Sequence, residues 1–238
     1  MEEIITQKKT IEGIGKNLEV NLKEYGFKFV KSKSALVRKT KDGFDKILLH
    51  TYDTYPYSHQ DLFLQFSSRI NVVQEIVNMF YDERFMNIKF HRSRTTIGID
   101  YINLMGDFKI DFNGYNPKCD ICLQRIKSGS DTEGKFAIHT EKDIEIITPL
   151  IFNFIKNRVF NFFSDNYDLN KLNLKFKNQI SQYSHLTEKM TSLVLMKLTN
   201  DTDFNIKVKE YLGYMNHPGY EEDHKNAFNE LVTYLKGN

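Results

Sequence analysis

The chain has 238 residues, 40% of them hydrophobic, 27% charged and only four proline; this is the composition of a folded protein with a full core and excludes a disordered or low-complexity polymer. A net charge of +2 supplies no overall field for a polyanion to follow, and no apolar run is long enough to span a membrane. Two cysteines and an acidic start, Met1-Glu2-Glu3, without a signal-peptide core predict a reducing cytoplasm.

The first element reads as an amphipathic helix. Ile11, Ile14, Leu18, Leu22 and Tyr25 fall at helical spacing, and Gly26 supplies the stop. Strand-like runs follow at residues 26–30, 35–40 and 44–52, and Asp42-Gly43 between the last two is a hairpin signal. Residues 61–66 alternate as a fourth strand, with Leu62, Leu64 and Phe66 on one side. Val73, Ile76, Val77 and Phe80 mark a short helix. Residues 87–91, 95–104 and 107–112 read as further strands, and 113–135 as a long connection holding both cysteines.

From Thr140 the pattern turns helical. Thr140 with Asp143 resembles a capping box, and a stripe runs from Ile144 to Phe162. Pro149 lies inside that stripe and is expected to kink or split the helix. Three more helices are centred on Leu186 to Val194, Phe204 to Leu212 and Phe228 to Leu235. Adjacent strands without intervening helices favour antiparallel pairing. The expected class is therefore α+β, a largely antiparallel sheet with an N-terminal helix and a C-terminal helical region. Residues 1–140 form the sheet region, and 141–238 a helical region packed on it as one compact unit.

Glu141-Lys142-Asp143-Ile144, the apolar helix, Phe162-Phe163, Tyr167-Asp168-Leu169 and Leu172-Asn173 together resemble a family of bacterial proteins of unknown function. Those proteins also open with an amphipathic helix ending in Gly-Phe-Lys, here Gly26-Phe27-Lys28. The resemblance implies an α+β fold and a binding role, of the immunity or accessory kind found beside toxin systems. It carries no catalytic residues.

Asp100, Asp107 and Lys109 form the one cluster with a catalytic reading. On a hairpin turning at Met105-Gly106, Asp100 faces Asp111, with Asp107 and Lys109 on the same side. Two carboxylates and a lysine are the minimal set of a Mg²⁺-dependent nuclease; the plainer reading is a solvated strand face. Cys119 and Cys122 form a Cys-x-x-Cys without a second pair, so they read as incidental thiols rather than a zinc site, and no cofactor is expected. His217 and His224 flank an acid-rich turn that reads as a helix start, with a metal loop as the alternative.

Two basic groups, one including Arg38 and Lys39 and the other Arg92 and Arg94, could meet phosphates if they share a sheet face; otherwise they protect strand edges. Tyr52, Tyr55 and Tyr57 around Pro56 suit a recognition surface or packing over the sheet. No phosphate loop, nucleophile elbow or His-Glu-x-x-His is present. The expected function is a non-enzymatic cytoplasmic binding protein with a protein partner. Metal-dependent nuclease chemistry and non-catalytic nucleic-acid binding are the alternatives.

Overall fold

Residues 5–54, 59–81, 85, 94–105 and 135–237 are described by the computed structural model. They form an α+β fold whose sheet follows an N-terminal helix and precedes a helical region. The backbone groups into two compact units that interleave along the chain: Met1–Ser68 with Gly98–Phe163, and Arg69–Ile97 with Ser164–Asn238.

The first unit is built on the sheet. Helix α1 (Gln7–Leu22) starts at Thr6, whose hydroxyl accepts from the Lys9 N–H. It stops at Gly26, whose φ of 82° lies where L side chains are strained. Strands β1 (Lys28–Val30), β2 (Ala35–Lys39), β3 (Gly43–Thr54), β4 (His59–Ile70) and β5 (Ile97–Asp100) lie side by side in that order, and β6 (Lys135–Ile138) pairs antiparallel with β4 through Leu62 and Phe136. The Asp42-Gly43 hairpin is present: Lys39 faces Phe44, and the Thr40 N–H donates to the Gly43 carbonyl.

Leu36, Ile47, Leu49, Leu62, Leu64 and Phe66 are fully buried on one face. Ile14, Leu18 and Leu22 of α1 and Ile147, Ile151 and Phe154 of α4 (Glu141–Phe154) supply the opposing core. Gly15 lies against the Phe29 ring so closely that a Cβ there would overlap it.

Two expectations change here. Residues 95–104 are not one strand: β5 ends at Asp100 and the chain coils into α3 (Tyr101–Met105). Tyr101 is 3% exposed and packs 4.6 Å from the Phe154 ring and 5.3 Å from Phe136; tertiary packing outweighs the β-branched alternation that suggested a strand. The second concerns the split expected as one outcome at Pro149. The helix continues through it to Phe154, passes into a π turn (Ile155–Val159) and resumes as α5 (Phe160–Asn166). Pro149 and Glu145 are both exposed, which puts the position that lacks its intrahelical donor on the outer side of the helix. The capping box forms as expected, with the Asp143 carboxylate accepting from the backbone N–H groups of His139 and Thr140 at 2.9 Å each.

The second unit is helical. Its hub is α7 (Leu186–Leu198), buried from Lys189 through Met196 without a break. A helix apolar all round belongs at the centre of a bundle, and α2 (Asn71–Phe80), α6 (Leu169–Gln179), α8 (Phe204–Tyr214) and α9 (Glu222–Gly237) all pack against it. Helix α6 has no counterpart among the apolar stripes read from the sequence. Its buried residues are Leu172, Asn173 and Phe176, and Asp168 caps it by accepting from the Asn170 and Lys171 N–H groups. Across the hub, Ser192 and Tyr211 share a hydroxyl hydrogen bond of 3.1 Å. Among the described residues, no helix is long and apolar enough to cross a membrane.

Candidate functional site

Of the site residues singled out from the sequence, the sheet unit holds Arg38, Lys39, Tyr52 and Asp100 among the described residues. Asp100 ends β5 half-buried and accepts from the Gln65 side-chain amide at 3.2 Å. Asp107 and Lys109 lie outside the described residues, as do Tyr55, Tyr57, Arg92, Cys119 and Cys122. Because the chain is helical from Tyr101 to Met105, the long strand leading to a turn at Met105-Gly106 is not formed.

Arg38 is partly buried and its charge is paired. Its Nε and Nη2 donate to the fully buried Asp45 carboxylate at 3.0 and 2.6 Å, and Ser68 donates to the other oxygen at 2.8 Å. The guanidinium also lies 4.9 Å from the Phe27 ring centre and 5.6 Å from that of Phe163. This is a core ion pair walled by aromatic rings.

Lys39 and Tyr52 are exposed. On the outward side of β3, Lys46, His50 and Tyr52 alternate with the buried Asp45, Ile47 and Leu49. Burial pulls the His50 imidazole below its ordinary pKa, the Lys46 ammonium adds to that, and the Asp100 charge opposes it. This face carries a mixed set of polar groups.

In the helical unit, a pocket of about 600 Å³ is lined by Tyr81 after α2, by Arg94, by residues 182–187 ahead of and within α7, and by His217, Gly219, Tyr220 and His224 ahead of and within α9. Arg94, one of the basic residues read from the sequence, lies with its guanidinium 4.8 Å from the Tyr81 ring centre. Its backbone carbonyl is held by Arg69 at 3.2 Å. Three histidines (His185, His217 and His224) join it, and no Asp or Glu side chain lines the pocket among the described residues.

Local hydrogen bonds set the state of two imidazoles. The Gly219 N–H donates to His217 Nδ1 at 3.1 Å, and the Glu221 N–H donates to His224 Nδ1 at 3.3 Å. With Nδ1 accepting, the neutral ring carries its proton on Nε2 and presents a donor there. Phe85 stacks on His224 at 4.8 Å and fixes its plane. The Ser184 hydroxyl accepts from the Ser181 N–H, which leaves its own proton to give. No imidazole of the pocket is hydrogen-bonded to the Ser184 or Thr187 hydroxyl among the described residues, so no nucleophile–base pair is assembled.

One buried lysine holds the pocket walls in place. Lys189 is fully buried, and its ammonium donates to the carbonyls of Gln182 (3.2 Å) and Ser184 and to the Tyr220 hydroxyl (2.9 Å). Tyr220 in turn donates to the Ser184 carbonyl at 3.0 Å. All three ammonium donors are used, and the rings of Tyr214 and Tyr220 lie 5.5 and 5.4 Å from the charge. Burial pulls the Lys189 pKa down, opposed by Glu188. The tie joins the loop before α7 to the loop before α9.

His217 and His224 flank a segment read from the sequence as a helix start, with a metal loop as the alternative. Among the described residues, no group of three His, Cys, Asp or Glu could hold a metal ion. The role of Lys189 had no sequence signal, because a lysine inside a helix reads as a solvated position. No protein-family model matches the chain, and neither a curated protein nor a solved structure matches it.

Proposed function

We propose that the chain is a non-catalytic binding protein of the cytoplasm whose helical unit accepts an anionic, acceptor-rich group. The observation that carries this is the set of donors in the pocket: Arg94 and two imidazoles with Nδ1 already occupied, with no carboxylate in the lining of the described residues. A general base needs a free acceptor nitrogen, and these two rings offer protons instead. An anion meets a guanidinium, imidazole N–H groups and hydroxyls, all of which donate. Two cysteines in the chain favour the reducing compartment. Of the residues in the nuclease alternative only Asp100 lies among the described residues, and it accepts from Gln65.

The test is nitrogen-edited NMR of the histidine rings in the intact chain. His217 and His224 are expected as Nε2–H tautomers whose signals move on addition of inorganic phosphate. Rings protonated on Nδ1, or signals indifferent to phosphate at tens of millimolar, would reject the reading.

A further inference from the structure

We infer that the pocket of the helical unit binds a nucleoside monophosphate unit, either free or at the 5′ end of a strand. This rests on the reading that the pocket accepts an anion and names the rest of the ligand. A cavity of about 600 Å³ lies in the range that encloses whole small molecules, and a lone phosphate would leave most of it empty. Among the described residues the lining carries one guanidinium with imidazole N–H donors, a set that suits a single phosphate.

The remaining volume is walled by aromatic rings. The Tyr81 ring is engaged by Arg94, and Tyr220 by Lys189. Tyr183 differs: it lines the pocket yet is 82% exposed, the most exposed large side chain with aromatic or aliphatic character among the described residues. Its backbone N–H is tied to the Ser181 hydroxyl at 3.3 Å, which holds the residue at the rim while its ring faces remain open. An open aromatic face beside a phosphate-binding donor set is the arrangement on which a base stacks. The Gln182 amide, also in the lining, offers both a donor and an acceptor to a base edge.

Calorimetric titration of the intact chain with AMP and UMP tests this, with inorganic phosphate, adenosine and a short 5′-phosphorylated oligoribonucleotide as comparison ligands. Each monophosphate is expected to bind at least tenfold more tightly than either inorganic phosphate or adenosine. Tyr183→Ala is expected to weaken AMP about five- to tenfold, the loss of one stacking partner, without changing phosphate affinity or the melting temperature. Tighter binding of the oligonucleotide than of AMP upholds the shared chemistry and assigns the source to strand ends. Phosphate binding as tight as AMP overturns the nucleotide inference and leaves the anion reading standing. Absence of binding by every ligand, or adenosine as tight as AMP, overturns both.

Discussion

Replacing Lys189 with methionine separates two opposite views of a buried ammonium. If the charge is poorly compensated, an apolar side chain of similar length removes a desolvation penalty and the protein gains stability. The structure argues the reverse, because all three donors are used, on the Gln182 and Ser184 carbonyls and the Tyr220 hydroxyl. Hydrogen bonds to a charged group contribute ~1.5–3 kcal/mol each. Against their loss stand the recovered desolvation of the ammonium and rehydration of two loop carbonyls. The net cost of K189M is about 2 kcal/mol, which in a chain of this size lowers the melting temperature by ~4–8 °C. Thermal unfolding followed by circular dichroism reads the loss. Amide exchange reads its location, with faster exchange expected at residues 182–187. A variant that melts at or above the parent temperature, with exchange in that loop unchanged, would refute the reasoning.

Three further outcomes follow from the same geometry. Asp45→Ala leaves the Arg38 guanidinium among phenylalanine rings without its carboxylate, and should cost ~3–5 kcal/mol in chemical denaturation; a loss below 1 kcal/mol would mean the pair is not a buried one. Gly15→Ala gains ~1 kcal/mol of helix propensity but must displace the Phe29 ring, an overpacking cost of ~1–3 kcal/mol, so a net destabilisation is expected, and a stabilised variant would show that the contact at Phe29 yields freely. Asp201 is partly desolvated, which raises its pKa, yet the Asp203 N–H, Lys177 and Asn173 outweigh that and hold it below the ordinary carboxylate range. Its unfolded form takes up a proton first, so the stability it contributes is complete above the unfolded pKa and drains away as pH falls through the folded one. Asp201→Asn should therefore flatten the acid limb of the stability–pH curve, and an unchanged acid limb would contradict the assignment.

Much of the fold is legible because local chemistry and packing agree. Asp42-Gly43 can turn a hairpin, Gly26 accepts the left-handed conformation, and Asp143 caps the helix behind it; each signal acts over a few residues and each is used as expected. Legibility fails where distant partners decide. Tyr101 belongs to an alternating run, but the Phe136 and Phe154 rings recruit it into a helix. Pro149 sits inside a continuous helix, on its exposed side. Helix α6 hides among Lys and Asn residues because only Leu172, Asn173 and Phe176 are buried. The candidate site follows the same rule. Arg94, His217 and His224 were each conspicuous alone, yet nothing in their spacing announces a shared pocket, and the lysine that ties its walls is visible only once α7 is placed at the centre of the bundle.

The interleaved path has a consequence for synthesis. A ribosome emits the α2 segment, then all of Gly98–Phe163, before the α6 to α9 helices that complete the same bundle. At ~5–20 residues per second that interval is about 3–13 s. Through those seconds Val73 and Val77 have none of the α6 to α9 helices to pack against, so the helical unit is completed only after the whole of Gly98–Phe163 has been made, even though one of its helices is made early.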